Sequence, residues 1–141
     1  IGKEAFSGVV LLEEIKGITA SVIDERAFEN CPLLKSVEFC EGVTEIRSGA
    51  FAYSLIKSIV IPSSVTSIAG DAFDEYYSSG SIAYYKGTAQ ELEEKPQVKG
   101  GLRYSTIYYY SATEPEVNEN GEYNGNFWYY DTRNSIVVWK K

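Results

Sequence analysis

The sequence predicts a strand-rich α/β solenoid of short repeated modules, closed at its C-terminus by a β-rich cap, and three observations carry that prediction. The dipeptide Ala-Phe recurs at Ala5-Phe6, Ala27-Phe28, Ala50-Phe51 and Ala72-Phe73, at spacings of 22, 23 and 22 residues. An isoleucine stands four residues before each alanine, at Ile1, Ile23, Ile46 and Ile68. Between the anchors runs an apolar phrase, Leu34-x-x-Val37-x-Phe39 and then Ile56-x-x-Ile59-x-Ile61, whose alternation is that of a half-buried strand. A module this short cannot enclose a core of its own. It must lean on its neighbours, and a fixed period of this length marks a solenoid.

Module one, residues 1–22, is the most worn copy: its strand candidate is Leu12 to Gly17, and the Val-Thr-x-Ile phrase of later modules is reduced to Ala20-Ser-Val-Ile23. Module two, Ile23 to Glu45, is complete, with Ala27-Phe28-Glu-Asn-Cys31, Leu34-Lys-Ser-Val-Glu-Phe39 and Val43-Thr-Glu-Ile46. Module three, Ile46 to Ser67, drops one residue after Phe51 and runs Ile56-Lys-Ser-Ile-Val-Ile61-Pro62. Proline suits a strand exit, where no ladder donor is needed. Module four keeps Ile68 and Ala72-Phe73, but Ser79-Gly-Ser replaces the Leu-Lys-Ser phrase, and its strand is Ile82 to Tyr85.

From Lys86 the rhythm is lost. Thr88 to Glu94 predicts a short helix, with Thr88 as N-cap and Glu91 completing a capping box, and Pro96 with Gly100-Gly101 ends it. Thr106 to Tyr110 is β-prone, residues 112–126 form an acidic, turn-rich loop, and Phe127 to Tyr130 with Ile136 to Trp139 reads as a hairpin around a turn at Asp131 to Ser135. Nine of the 12 tyrosines and both tryptophans lie beyond residue 80, the composition of a bulky cover for the last module's apolar edge. The solenoid is accordingly assigned residues 1–87 and the capping segment residues 88–141.

Composition excludes several functions. With 13 basic and 20 acidic residues, the chain lacks the broad basic face that nucleic acid or an anionic membrane attracts. No apolar run approaches the roughly 18 residues of a membrane span. Histidine is absent, which removes the commonest general base and metal ligand and leaves serine and cysteine without a triad partner. The chain opens on Ile1 inside a repeat, without an initiator Met, and reads as a C-terminal fragment whose targeting segment lies upstream.

The copies from Ile23 to Ile68 resemble the BspA-like leucine-rich repeat family, whose modules read I-G-x-x-A-F-x-x-C-x-x-L-x-x-V-x-I-P-x-S-V-x-x-I. The match includes Cys31 and Ile61-Pro62-Ser63-Ser64-Val65. The tail is similar to the terminal segment of many such proteins from gut Firmicutes, through Tyr85-Lys-Gly-Thr88, Thr106 to Ser111, Phe127-Trp128-Tyr-Tyr130 and Val138-Trp139. Leu92 and Tyr129 stand where that pattern has Trp and His, and both read as packing substitutions. The resemblance implies a right-handed leucine-rich repeat solenoid of about four modules with short helical or 3-10 turns. It also implies a non-enzymatic protein-binding or adhesion module, on the surface of a bacterium or secreted by it, that meets host, extracellular-matrix or neighbouring-cell proteins. Two alternatives stand beside it: a structural cap or spacer of a longer repeat array, and a glycan- or cell-wall-binding accessory domain of a surface enzyme.

Candidate chemistry is sparse. Cys31 and Cys40 fall on opposite sides of their module, which favours two thiols over a bridge needing Cα atoms within about 7 Å, and two cysteines do not make a structural zinc site. Glu114, Glu116, Glu119 and Glu122 do not keep the register of a calcium loop and read as a solvated segment. Asp71, Asp74 and Glu75 cluster, but Asp71 repeats a position held by Glu4, Arg26 and Gly49, the signature of a solvent site. No catalytic residue, metal or cofactor is assigned. The remaining surface is the outward face of the strand ladder, where the phase presents Glu13, Glu14 and Lys16, then Lys35, Ser36 and Glu38, then Lys57, Ser58 and Val60. From it, Glu13, Lys16, Lys35, Ser36, Glu38, Lys57 and Ser58 are the candidate ligand-binding residues. Tyr109, Tyr123 and Trp128 are a second set, if left exposed on the cap to stack on a sugar or peptide.

Overall fold

The computed structural model describes residues 1–74 and 80–140, so Glu75 and Ser79 of the sequence reading lie outside the described residues. Modules one to three each contribute one strand to each of two sheets. The larger sheet takes β1 (Glu14–Ile18), the smaller takes β2 (Val22–Ile23), and the alternation continues with β3 (Ser36–Phe39), β4 (Glu45–Ile46), β5 (Ser58–Ile61) and β6 (Ser67–Ile68). β7 (Ser81–Tyr85) joins β5 in parallel. The ladder then continues through the C-terminal segment. β8 (Ser105–Tyr110) and β9 (Phe127–Tyr130) add in parallel, and β10 (Ile136–Val138) turns back antiparallel to β9.

Neighbouring modules are related by translation, and their bonds repeat accordingly. The Phe6 N–H donates to the Ala27 carbonyl (2.8 Å), Phe28 to Ala50 (2.7 Å) and Phe51 to Ala72 (2.7 Å). The anchor rings follow, stacking Phe6 on Phe28 (5.1 Å), Phe28 on Phe51 (5.1 Å) and Phe51 on Phe73 (5.4 Å). Such ring pairs add about 0.5–1.5 kcal/mol each beyond the area they bury. The alanine is small because its turn lies against the next module's backbone: Ala27, Ala50 and Ala72 are all fully buried.

The corners of modules one to three are closed by left-handed backbone at two fixed places. Glu4, Arg26 and Gly49 have φ of +55°, +54° and +61°, and four residues on Asn30 and Tyr53 have +56° and +59°. A side chain there costs on the order of 1–2 kcal/mol; at the first of these positions Glu4, Arg26 and Asp71 are exposed and Gly49 is half-buried. Polar residues of the repeat phrase also point one module back. Thr44 donates both N–H and Oγ1 to the Ser21 carbonyl, and Thr66 does the same to Thr44. Cys31 and Ser54 share a repeat position, and their Sγ and Oγ donate to the carbonyls of Phe6 and Phe28. Cys31 is buried and Cys40 half-buried, each a free thiol.

The predicted strand phase holds: Leu34, Val37, Phe39, Ile56, Ile59 and Ile61 are all within the core. Module one departs from its expected bounds, because β1 starts at Glu14 and its pairing with β3 slips between Ile15 and Ile18 around Gly17 at φ +75°. The bulge brings Ile18, rather than Gly17, opposite Phe39.

Helix α1 (Ala89–Glu93) carries the expected capping box: Thr88 Oγ1 accepts from the Glu91 N–H (3.1 Å), and Glu91 accepts from the Thr88 N–H (2.6 Å). Pro96 corrects the sequence reading, since it opens a second helix, α2 (Pro96–Gly101), at a position where its missing N–H costs nothing. Gly100 and Gly101 lie inside α2, and Gly101 is glycine because α2 meets β6 there. A Cβ would fall 2.3 Å from Ile68 Cγ2.

The repeat geometry makes a stability prediction. Phe51 is fully buried between two stacked rings, so Phe51→Ala is expected to cost about 3–5 kcal/mol. Lys57→Ala, on an exposed strand entrance, is expected to cost under about 0.5 kcal/mol. Urea melts giving the two variants equal midpoints would overturn the phase.

Candidate functional site

The outward face of the larger sheet is built by register. One row runs Glu14, Ser36, Ser58, Ile82 and Thr106, and the next runs Glu38, Val60, Tyr84 and Tyr108. The first row thus passes from polar residues of the early modules to Ile82 and Thr106, and the second passes from Glu38 to the aromatic Tyr84 and Tyr108 of the later strands. Beyond Tyr108 the same face carries Tyr110, Trp128 and Tyr130, with Trp128 against Tyr84 (5.4 Å), Tyr110 (5.2 Å) and Tyr130 (5.0 Å).

This aromatic half curls the sheet into a half-barrel. Tyr130, on the sixth strand of the order, donates its hydroxyl to Glu38 Oε1 on the second (2.8 Å), a bond across 92 residues of chain. Lys86 lies over the Tyr130 ring at 5.3 Å. Burial, followed by the bond to Glu38, pushes the Tyr130 hydroxyl well above the ordinary tyrosine range. Beneath the hairpin turn a cavity of about 290 Å³ remains. Ser36, Glu38, Ser58 and Val60 form its floor, Tyr130 and Asn134 to Ile136 one wall, and β1 the other. Glu14 stands at the rim, bound by Lys16 Nζ (3.1 Å) and Ser36 Oγ (3.0 Å), and those two contacts hold its carboxylate below the usual range.

The sequence-derived residues separate into two groups. Lys16, Ser36, Glu38 and Ser58 line the cavity. Glu13, Lys35 and Lys57 form a column of their own at the strand entrances, where the Lys35 N–H donates to the Glu13 carbonyl (2.9 Å) and Lys57 to Lys35 (2.8 Å). Val60 faces outward as its phase requires, yet it is 3% exposed because the C-terminal hairpin covers it.

The second, aromatic set is corrected. Trp128 is fully buried and donates Nε1–H to the Tyr85 carbonyl (3.1 Å), so it offers no stacking surface. Tyr109 packs against the core, and Tyr123 is half-buried with its hydroxyl donated to Glu114 (2.9 Å). The sequence marks Tyr130, the turn at Asp131 to Ser135 and Ile136 as parts of a hairpin and not as residues of the site. The acidic loop carries its own turn, with Asn118 Oδ1 accepting from the amides of Asn120 (2.9 Å) and Glu122 (3.0 Å) while its glutamates face solvent.

A curled ladder of mostly parallel strands, the first of them supplied by short repeated modules, defines a repeat protein. The BspA type leucine rich repeat region matches residues 1–94 in six copies, and the chain belongs to that family. Members are in general non-enzymatic modules that mediate protein binding, and are typically extracellular or surface-associated. Neither a curated protein nor a solved structure matches the chain. Among the described residues, no helix is long and apolar enough to cross a membrane.

Tyr130 gives the site a pH signature. Its raised folded value favours the neutral hydroxyl, so the contribution is complete below about pH 10, the unfolded value, and is lost progressively above it. Wild type is expected to lose stability above about pH 10 more steeply than Tyr130→Phe, read from urea midpoints across pH 8–11. Parallel pH profiles would contradict the Tyr130–Glu38 contact.

Proposed function

We propose that this chain is a protein-binding and adhesion module of a bacterial surface or secreted protein, with recognition on the outward strand face. The observation that carries the reading is the polar row of that face. Glu14, Ser36 and Ser58 stand in register on the ladder, with Lys16 and Glu38 beside them, bordering a cavity that the hairpin leaves open. Rigid presentation limits the entropy lost when a partner docks. The lysine column of Lys35 and Lys57, with Glu13, extends the surface past the strand entrances and gives it mixed charge. In this reading the solenoid, residues 1–87, winds right-handed, residues 88–141 form its C-terminal cap, and the partner is a host or extracellular-matrix protein, with glycan as a lesser candidate. No catalytic step or cofactor is invoked.

A second reading, a cap or spacer within a longer array, has its own observation. Module one leaves Phe6 at 45%, Val10 at 54% and Leu11 at 81% exposure, and a shallow apolar cleft runs over Ile1, Leu12 and Ile15. Such an edge is what another module would cover.

Immobilised matrix proteins and a glycan array distinguish the two readings. The adhesion reading expects saturable binding in the micromolar range or tighter, weakened at least about tenfold (1.4 kcal/mol) by Lys35→Glu/Lys57→Glu. Absence of binding from a folded sample would move recognition elsewhere and favour the cap or spacer.

A further inference from the structure

We infer that the gap between the two terminal strands of the large sheet takes an extended peptide segment as an added strand, with a basic side chain reaching Glu14 and Glu38. This rests on the protein-binding reading above and names how a partner would engage the face.

The argument starts from the sheet order. Among the described residues β1 and β10 are its terminal strands, each hydrogen-bonded to a neighbouring strand on one side, so each keeps one row of backbone N–H and C=O groups without a strand partner among those residues. In a flat sheet those rows would point apart, toward solvent. Here the curl held by Tyr130 and Glu38 brings both strands to the same cavity, lined by Glu14 and Lys16 from β1 and by Ile136 from β10. Two open edges bordering one cavity select an extended backbone, because only a strand answers a row of alternating donors and acceptors.

Cavity size and chemistry narrow the occupant further. A volume of about 290 Å³ is at the bottom of the range for sites that enclose a small organic ligand. It suits one or two side chains of a longer segment. Ser36 and Ser58 offer hydroxyls on the floor, and Val60 and Ile136 offer apolar contact. Two carboxylates, Glu14 and Glu38, face one ammonium, Lys16, so the cavity carries a net negative charge that a lysine or arginine of the incoming strand would neutralise. The chain as a whole has a formal charge of -7, which attracts a basic segment from a distance.

A displayed library of random octapeptides, selected on the folded chain, tests the inference. Enriched peptides are expected to lack proline and to share one basic residue flanked by small or β-branched residues. Their binding should weaken at least tenfold in Glu14→Lys and also in Ser36→Phe, which fills the floor. Glu119→Lys, the same charge change on the exposed loop, should leave binding within twofold, and thermal melts verify that all three variants fold. Binding should add amide protection at Lys16 or at Ile136 and Val138, whose amides alternate with the Val137 pair bonded to Tyr129, in hydrogen exchange. No enrichment, enrichment indifferent to both cavity variants, or equal loss in Glu119→Lys would overturn the inference. So would a dimer of the chain that Ser36→Phe dissolves, which would assign the gap to a second copy. An intact partner that binds Ser36→Phe as well as wild type, with no octapeptide enriched, removes the strand mode and leaves the adhesion reading standing. Absence of any partner removes both.

Discussion

The N–H of each of the first three anchor phenylalanines donates to the carbonyl of the next module's anchor alanine, and that one translation constrains nearly every other position. Once Phe6, Phe28, Phe51 and Phe73 are held one module apart, their rings have no choice but to stack. The same displacement aligns Val37 with Ile59 and Ala83, and Ile23 with Ile46 and Ile68, so apolar residues form columns. Polar residues form columns for the same reason, which is why Thr44 and Thr66 fork onto equivalent carbonyls. Left-handed backbone at Glu4 and Arg26, unfavourable for a side chain, persists because the corner's hydrogen bonds over-determine it.

The C-terminal segment inherits the ladder without inheriting the repeat. β8 meets β7 over five paired positions although the intervening chain is helical, α1 and α2 standing where a further strand of the small sheet would lie. Gly101 permits this by letting α2 close on Ile68. The aromatic residues then divide by strand parity. Tyr85 and Tyr109 enter the core, while Tyr84, Tyr108, Tyr110, Trp128 and Tyr130 crowd the outward face and draw the sheet round. The result is a face that is polar and open over the early modules, and aromatic and covered over the late ones.

Much of this was legible in the sequence because it is periodic or local. The Ala-Phe spacing located the turns, the alternation of Leu34, Val37 and Phe39 set the strand phase, and Thr88 with Glu91 marked the helix start. What was not legible depends on distant partners. Periodicity told that Val60 faces outward, yet not that a hairpin some seventy residues later would bury it. A tryptophan in an aromatic run reads equally as surface or core, and only the curl shows that Trp128 is enclosed. Pro96 is ambiguous for a related reason: proline stops one helix by the same property that lets it begin another. Of the seven candidate residues, Lys16, Ser36, Glu38 and Ser58 line the cavity and Glu13, Lys35 and Lys57 stand apart at the strand entrances, a division set by a contact between Tyr130 and Glu38 that no local pattern encodes.

Continuity of the ladder from the first anchor to the last aromatic strand is the central claim, and native-state hydrogen exchange tests it most directly. The amides of Phe28 and Phe51, which bind the next module, and those of Tyr109 and Ser111, which bind β9 and its approach, should open together with the global unfolding free energy and the same denaturant dependence. Exchange of Tyr109 and Ser111 at least about tenfold faster, with a smaller denaturant slope, would show that the C-terminal segment opens by itself and would contradict a single continuous ladder.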